Sequence, residues 1–256
     1  MTFFSRINFH MLRVPPMEIY FASVSKSPEV NRSLLDRIAE AIEFQLNAHV
    51  SNFWQAGPVK VAAVTTPESI PNVDGVCPII VYDEPDDTGA LGWHSFDPKT
   101  GRMPGTAFLK PILDNGGSLL EGPNSLSCTL SHEAIEAFVD PYVNDYSFVD
   151  EWTVEPKEAC DRVQGDTYVI GGVTVSNFLG PRAFRDGPGP YDWLRLMTKP
   201  WEIRPAGYCM RRDVRTGEAL TLWGEQVPAW YKEVKAAAKT VGLSRLGRRQ
   251  RPSKGV

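Results

Sequence analysis

Residues 17–24, MEIYFASV, alternate apolar and polar side chains and carry β-branched and aromatic types, which predicts a strand. A change of period follows. Leu34, Leu35, Ile38, Ile42, Leu46, His49, Val50 and Phe53 recur at helical spacing, so a long amphipathic helix should run to about Trp54. Ser27 is suited to cap it and Pro28 to open it. Two short apolar runs, VKVAAV at 59–64 and VCPIIVYD at 76–83, read as strands buried on both faces, with Pro78 pushing the second toward an edge or a late start. Residues 90–113 read as two extended pieces around a Pro-Lys-Thr-Gly turn. Residues 123–139 read as a second helix, stopped at Asp140-Pro141. DTYVI and VTVSNF flank Gly171-Gly172, a hairpin signal. Residues 180–210 are rich in Pro, Gly and Trp and should form loops over a cleft, and 227–242 should form a last helix. The order is that of an α+β fold: a mixed sheet backed by a long helix, a second helix, and a mixed C-terminal part.

Composition changes this picture little. The chain has 256 residues, 42% of them hydrophobic, enough for one large core or two small ones. It contains no apolar run long enough to span a bilayer, and the first 16 residues, broken by Arg6, Asn8, His10 and Arg13, read as an N-terminal extension and not a signal peptide. Four scattered cysteines with no CxxC pair point to a reducing compartment. Charge is uneven. The net value is −4, but the last 14 residues carry five basic side chains and no acid, which leaves −9 on the rest. That tail, 243–256, reads as a disordered basic segment, with contact to nucleic acid or an acidic protein surface as the sharper alternative.

The chemistry concentrates in the second helix, at TLSHEAIEAFVDP. His132 and Glu136 are four residues apart and share a helix face about 6 Å apart, so both can reach one cation. Glu133 is rotated about 100° from His132 and can sit beside the ion instead of on it. This is the logic by which H-E-x-x-H peptidases place a Glu to take a proton from water. Asp140 lies too far along the axis to join His132 on one ion and is assigned a supporting or C-terminal structural role. A third ligand has to come from VEPKEACDRV, where Glu158 is favoured and Asp161 is the close alternative. Cys160 should point away if both of its neighbours point in. His49 reads as a core or boundary histidine, His94 as a strand histidine with a cleft position as the rarer case, and Tyr168 or His94 as oxyanion donors between which the sequence does not choose.

Three stretches carry a resemblance: LSHEAIEAFVDPYVN, KEACDRV and YVIGGVTVSNFLGP. They are similar to a group of phage and prophage proteins described as zincin-like, and the order of elements over residues 17–141 resembles that of zincin metallopeptidases. The likeness covers roughly residues 17–210. It implies a zincin-like domain at 17–242, divided into 17–141 and a C-terminal part at 142–242 that supplies the third ligand. It implies Zn2+ or another divalent ion on His132, Glu136 and Glu158 or Asp161, with Glu133 as general base. The extended piece PGTAFLKPIL falls where such enzymes keep the edge strand that pairs with a peptide. The expected function is metal-dependent peptide hydrolysis in a phage-encoded protein, located in the bacterial cytoplasm or the virion, with peptides or proteins as substrates and other virion proteins as further partners. The rival expectation is a non-catalytic virion component that keeps the fold for docking. Neither involves a membrane.

Overall fold

The computed structural model describes residues 17–85 and 90–232; the N-terminal extension, the basic tail and the expected last helix beyond residue 232 lie outside the described residues. The first half builds a five-stranded mixed sheet from β1 (Met17–Ser23), β2 (Val59–Ala63), β3 (Val76–Tyr82), β4 (Gly92–His94) and β5 (Gly105–Phe108). Their order across the sheet is β2-β1-β3-β5-β4. β1 runs parallel to β2 and β3, β3 parallel to β5, and only β4, at the edge, is antiparallel. The two-residue period of the strands sorts their side chains. Ile19, Phe21, Val59, Val61, Cys77, Ile79 and Val81 enter the main core, whereas Tyr20, Ala22 and Val76 meet Ile70 on the opposite face.

Helix α1 (Arg32–Phe44) covers the main-core face with Leu35, Ile38 and Ile42 and continues through a π-helical segment, Gln45–Val50, into α2 (Ser51–Trp54). Its cap is Asn31, whose side chain accepts the Leu34 N–H, and not Ser27, whose carbonyl instead closes a turn with the Val30 N–H. The π segment coincides with a polar side chain forced inward. Gln45 is fully buried, donates from Nε2 to the Ser176 carbonyl and the Tyr168 hydroxyl, and accepts from Ser131 Oγ. Wide turns of this kind tend to mark places where a helix bends to satisfy a local need.

Two expectations for 90–113 change. Residues Leu109–Asp114 form a short helix, α3, with Pro111 in its first turn where a missing N–H costs nothing. The stretch around GTAF is the interior strand β5, flanked by β3 and β4, so the edge on that side of the sheet is β4. Pro78 likewise lies in a central strand, one residue before pairing with β5 begins at Ile79.

Helix α4 (Leu126–Val139) is capped by Ser125, whose Oγ accepts the Cys128 N–H. Every residue from Leu126 to Ala137 is buried. The reason is that α4 is sandwiched. The main sheet lies on one side. The hairpin of β8 (Thr167–Ile170) and β9 (Val173–Ser176), together with the helix that begins as α1, covers another, where Ser127 Oγ donates to the Thr174 carbonyl and Ser131 Oγ accepts the Ser176 N–H while donating to Gln45 Oε1. Gly171 and Gly172, both at positive φ, make the hairpin turn as the sequence predicts.

The C-terminal part adds an antiparallel sheet, β11-β10-β7-β6, from β6 (Tyr146–Phe148), β7 (Thr153–Pro156), β10 (Tyr208–Asp213) and β11 (Ala219–Trp223). The class is therefore α+β with a mixed sheet. Residues 181–205 are largely irregular and pack around Val163, Leu179, Ala183, Phe184 and Met197. Among the described residues, no helix is long and apolar enough to cross a membrane.

Candidate metal centre

A helix buried on every side should carry no charge, because an ionised carboxylate without a partner is among the costliest things a core can hold. Yet α4 buries His132, Glu133 and Glu136 together, and Glu158 and Asp161 are buried beside them. The i, i+4 spacing puts His132 and Glu136 on one face, with Nε2 and Oε1 3.2 Å apart. A short 3-10 turn, Asp161–Val163, brings Asp161 Oδ1 to 3.2 Å from the same Nε2. Neither approach is aligned as a hydrogen bond to Nε2. The Cys160 N–H donates to Glu136 Oε1 and fixes that carboxylate against the incoming loop.

Glu133, one residue on, turns toward the edge strand. Its Oε2 lies 3.3 Å from Nδ1 of His94, a side chain only 5% exposed. Closeness here depends on Gly92: a Cβ at that position would come within 2.9 Å of Glu133 Oε1 and of Thr129 Cγ2, and within 2.8 Å of the Thr106 carbonyl. β4 can approach α4 this tightly only without a side chain there. The second oxygen of Glu136, Oε2, lies 3.7 Å from His94 Nδ1. Two groups of potential ligand atoms result, His132–Glu136–Asp161 and His94–Glu133–Glu136, each converging within 4.8 Å.

The electrostatics follow from this crowding. Burial pushes Glu136 up from the ordinary carboxylate value; His132 opposes that, while Glu158 and Asp161 add to it. Burial pushes His132 down, but Glu136, Asp161 and Glu133 together more than reverse that and hold it well above 6.5. His94 is also raised, burial being outweighed by Glu133, Glu158 and Glu136. Metal-free, the cluster retains protons that a cation would displace.

The donor set fits a divalent ion. Ligands at about 2.0–2.1 Å from a tetrahedral ion stand about 3.3 Å from one another, close to the two 3.2 Å separations found at His132 Nε2. Imidazole and carboxylate together suit zinc, manganese or ferrous iron better than magnesium. Beside this group lies a cavity of about 190 Å³, reaching His132 and Glu133 and walled by apolar side chains including Leu91, Trp230 and Tyr231.

The sequence-derived candidates divide accordingly. His132, Glu133, Glu136 and Asp161 come together. Glu158, the favoured third ligand, is in neither converging group, although it is close enough to act on Glu136 and His94 through its charge. The position opposite His132 is taken by Asp161, because the 3-10 turn starts there and swings its carboxylate inward. Asp140 is not in either group. Its two oxygens accept the Asn144 and Asp145 N–H groups, which makes it the anchor of the turn after α4, the structural alternative of the two it was given. Cys160 stays out of both groups, and all four cysteines are buried and free of disulfides. Tyr168 is committed to Gln45 and His49, and His49 stacks on Trp193 as a boundary histidine. The cavity is also lined by Gln164, Gly165, Ala206, Pro228, Trp230 and Tyr231; of the loops expected over it, 180–210, only Ala206 lines it. His94 is the residue that sequence reasoning underrated. Its one signal is proximity to Gly92, which has meaning only once β4 is known to pack on α4.

Comparison of the chain with known protein families, with curated proteins and with solved structures finds no match in any of the three. The functional reading rests on this chain's own residues.

Proposed function

We propose that this chain is a zincin-like, metal-dependent hydrolase of peptide bonds. The observation that carries the reading is the approach of Glu136 and of Asp161 to 3.2 Å from His132 Nε2, all three within 4.8 Å, beside a cavity that also reaches Glu133. Those three would hold the ion, zinc being the first candidate. When bound, a divalent ion acidifies water and polarises a carbonyl oxygen. The chain supplies the rest. Glu133 stands at the cavity wall as the base that takes a proton, and His94 orients its carboxylate from the edge strand. A peptide is favoured over other acyl compounds because Leu91 and Gly92, at the start of edge strand β4, line the same cavity, so an extended segment could lie along the strand while an apolar side chain enters between Leu91, Trp230 and Tyr231. Placement in a phage-encoded protein is supported by the resemblance of the motif-bearing stretches.

Glu133→Gln tests the assignment. The variant should keep its ion and lose hydrolysis of a mixed peptide library by about 10²–10⁴-fold, the usual contribution of a general base. Turnover unchanged in that variant removes Glu133 from the chemistry. Metal analysis of His132→Ala should show the ion lost, and an undiminished content would end the metal reading.

A docking role in a virion is favoured by a separate feature: Tyr142, Phe148, Trp152 and Leu220 in and around the C-terminal sheet are exposed. Wild-type protein that holds an ion yet cleaves nothing in that library would support it.

A further inference from the structure

His94 is not needed to complete the His132–Glu136–Asp161 group, yet its ring is buried against Glu133 and against Glu136, a member of that group. Glu136 is the common member. Its Oε1 faces His132 and the Cys160 N–H, and its Oε2 faces His94. The oxygens of one carboxylate are thus divided between two imidazoles on different elements, one on α4 and one on β4. That is the arrangement by which a carboxylate spans two cations about 3.5–4 Å apart.

Charge supports the same conclusion. Glu133, Glu136, Glu158 and Asp161 place four carboxylates in one buried region, with the imidazoles of His94 and His132 among them. The nearby guanidinium of Arg162 pairs with Glu155 instead. Buried charge is tolerated when it is paired or bound to metal.

We propose that the chain binds a second divalent cation, on His94 Nδ1, Glu133 and Glu136 Oε2, with Glu136 bridging it to the ion held by His132 and Asp161. The proposal rests on the first ion of the reading above. It gives Glu133 two alternative states, ligand of the second ion or free base, so filling the second site withdraws the base from water. The cation class is the one that accepts one imidazole and two carboxylates, zinc or manganese.

The test is a metal count and a spectrum on the full-length chain, stripped with chelator and reloaded with Mn2+. Wild type should bind two ions per chain and show the exchange-coupled multiline signal of a carboxylate-bridged pair. His94→Ala should bind one and show the simple six-line signal of an isolated ion. Glu133→Gln, which keeps the size and shape of the side chain, should do the same if His94→Ala does not fold. One ion in wild type, with His94→Ala unchanged, overturns the second site while leaving the first intact. Two ions without coupling overturn the bridging role of Glu136. No ion in wild type, or a count unaffected by His132→Ala, overturns the first reading and the second with it.

Discussion

Asp161 and Arg162 are neighbours in the chain, buried to the same degree, and they serve two charged clusters of opposite character. Arg162 shares one buried carboxylate with a second guanidinium. Its Nε lies 2.9 Å from Glu155 Oε1, Arg211 Nε donates to the other oxygen at 3.0 Å, Nη2 donates to the Ala183 carbonyl, and the guanidinium lies over Phe184 and Trp201. Asp161 joins a cluster in which carboxylates outnumber imidazoles and all compete for the same small volume. The first cluster is two guanidiniums around one carboxylate, and Arg162 Nε, though 2.9 Å from that carboxylate, is not aligned as a hydrogen bond. The second brings imidazoles and carboxylates within reach of one ion, beside a cavity. The difference is one of composition: guanidiniums cannot ligate a cation, whereas imidazoles and carboxylates that converge beside a cavity can.

The largest effect should come from breaking the Arg162 cluster. Glu155→Leu leaves the Arg162 guanidinium buried without its carboxylate and should cost about 3–5 kcal/mol, read from urea unfolding, by the same amount with or without metal. A loss that depended on metal would mean the two clusters are not separate. Next in size is withdrawal of the ion. At a free-ion concentration about 100 times the dissociation constant, binding adds about 2.7 kcal/mol, so chelation should lower the melting temperature and reloading should restore it. A melting temperature indifferent to chelator and ion would sink the Asp161 cluster as a metal site.

Glu136→Gln should separate the clusters by sign. In the metal-free protein above neutral pH it removes surplus charge while leaving an oxygen to accept the Cys160 N–H, so stability should rise by about 1 kcal/mol, the worth of a modest carboxylate shift. The same variant should lose its ion. The smallest effect is a pH slope. Folding raises Glu136 above its usual 4.5 and His132 above 6.5, so the folded metal-free chain binds more protons than the unfolded one. Its stability should therefore fall as pH rises from about 5 through neutrality, and saturating metal, which displaces those protons, should flatten or reverse the slope. A metal-free protein that gained stability across that range would show the cluster to be less crowded than described.

Local signals were read where they depended on local physics. The Gly171-Gly172 hairpin followed from the need for positive φ at both turn positions. The shared face of His132 and Glu136 followed from helical pitch, and the deep burial of α4 from its small and apolar composition. The cap of α1 was missed by four residues because Ser27 and Asn31 are both good caps and only packing of the first turn decides between them. The edge strand was misplaced because GTAF and GWH are equally extended in isolation; strand order is a property of pairing.

By itself, the amino-acid sequence determined that a histidine and two glutamates would ride one helix in a chain of α+β type, since periodicity and pitch act within a few residues. Tertiary structure alone decided that Asp161 and not Glu158 meets His132, that Gly92 lets β4 bring His94 to Glu133, and that Arg162 turns away to another cluster. Those outcomes depend on the direction in which a short turn leaves a strand and on how closely two elements approach. Both are set by packing across the whole molecule, which no spacing along the chain encodes.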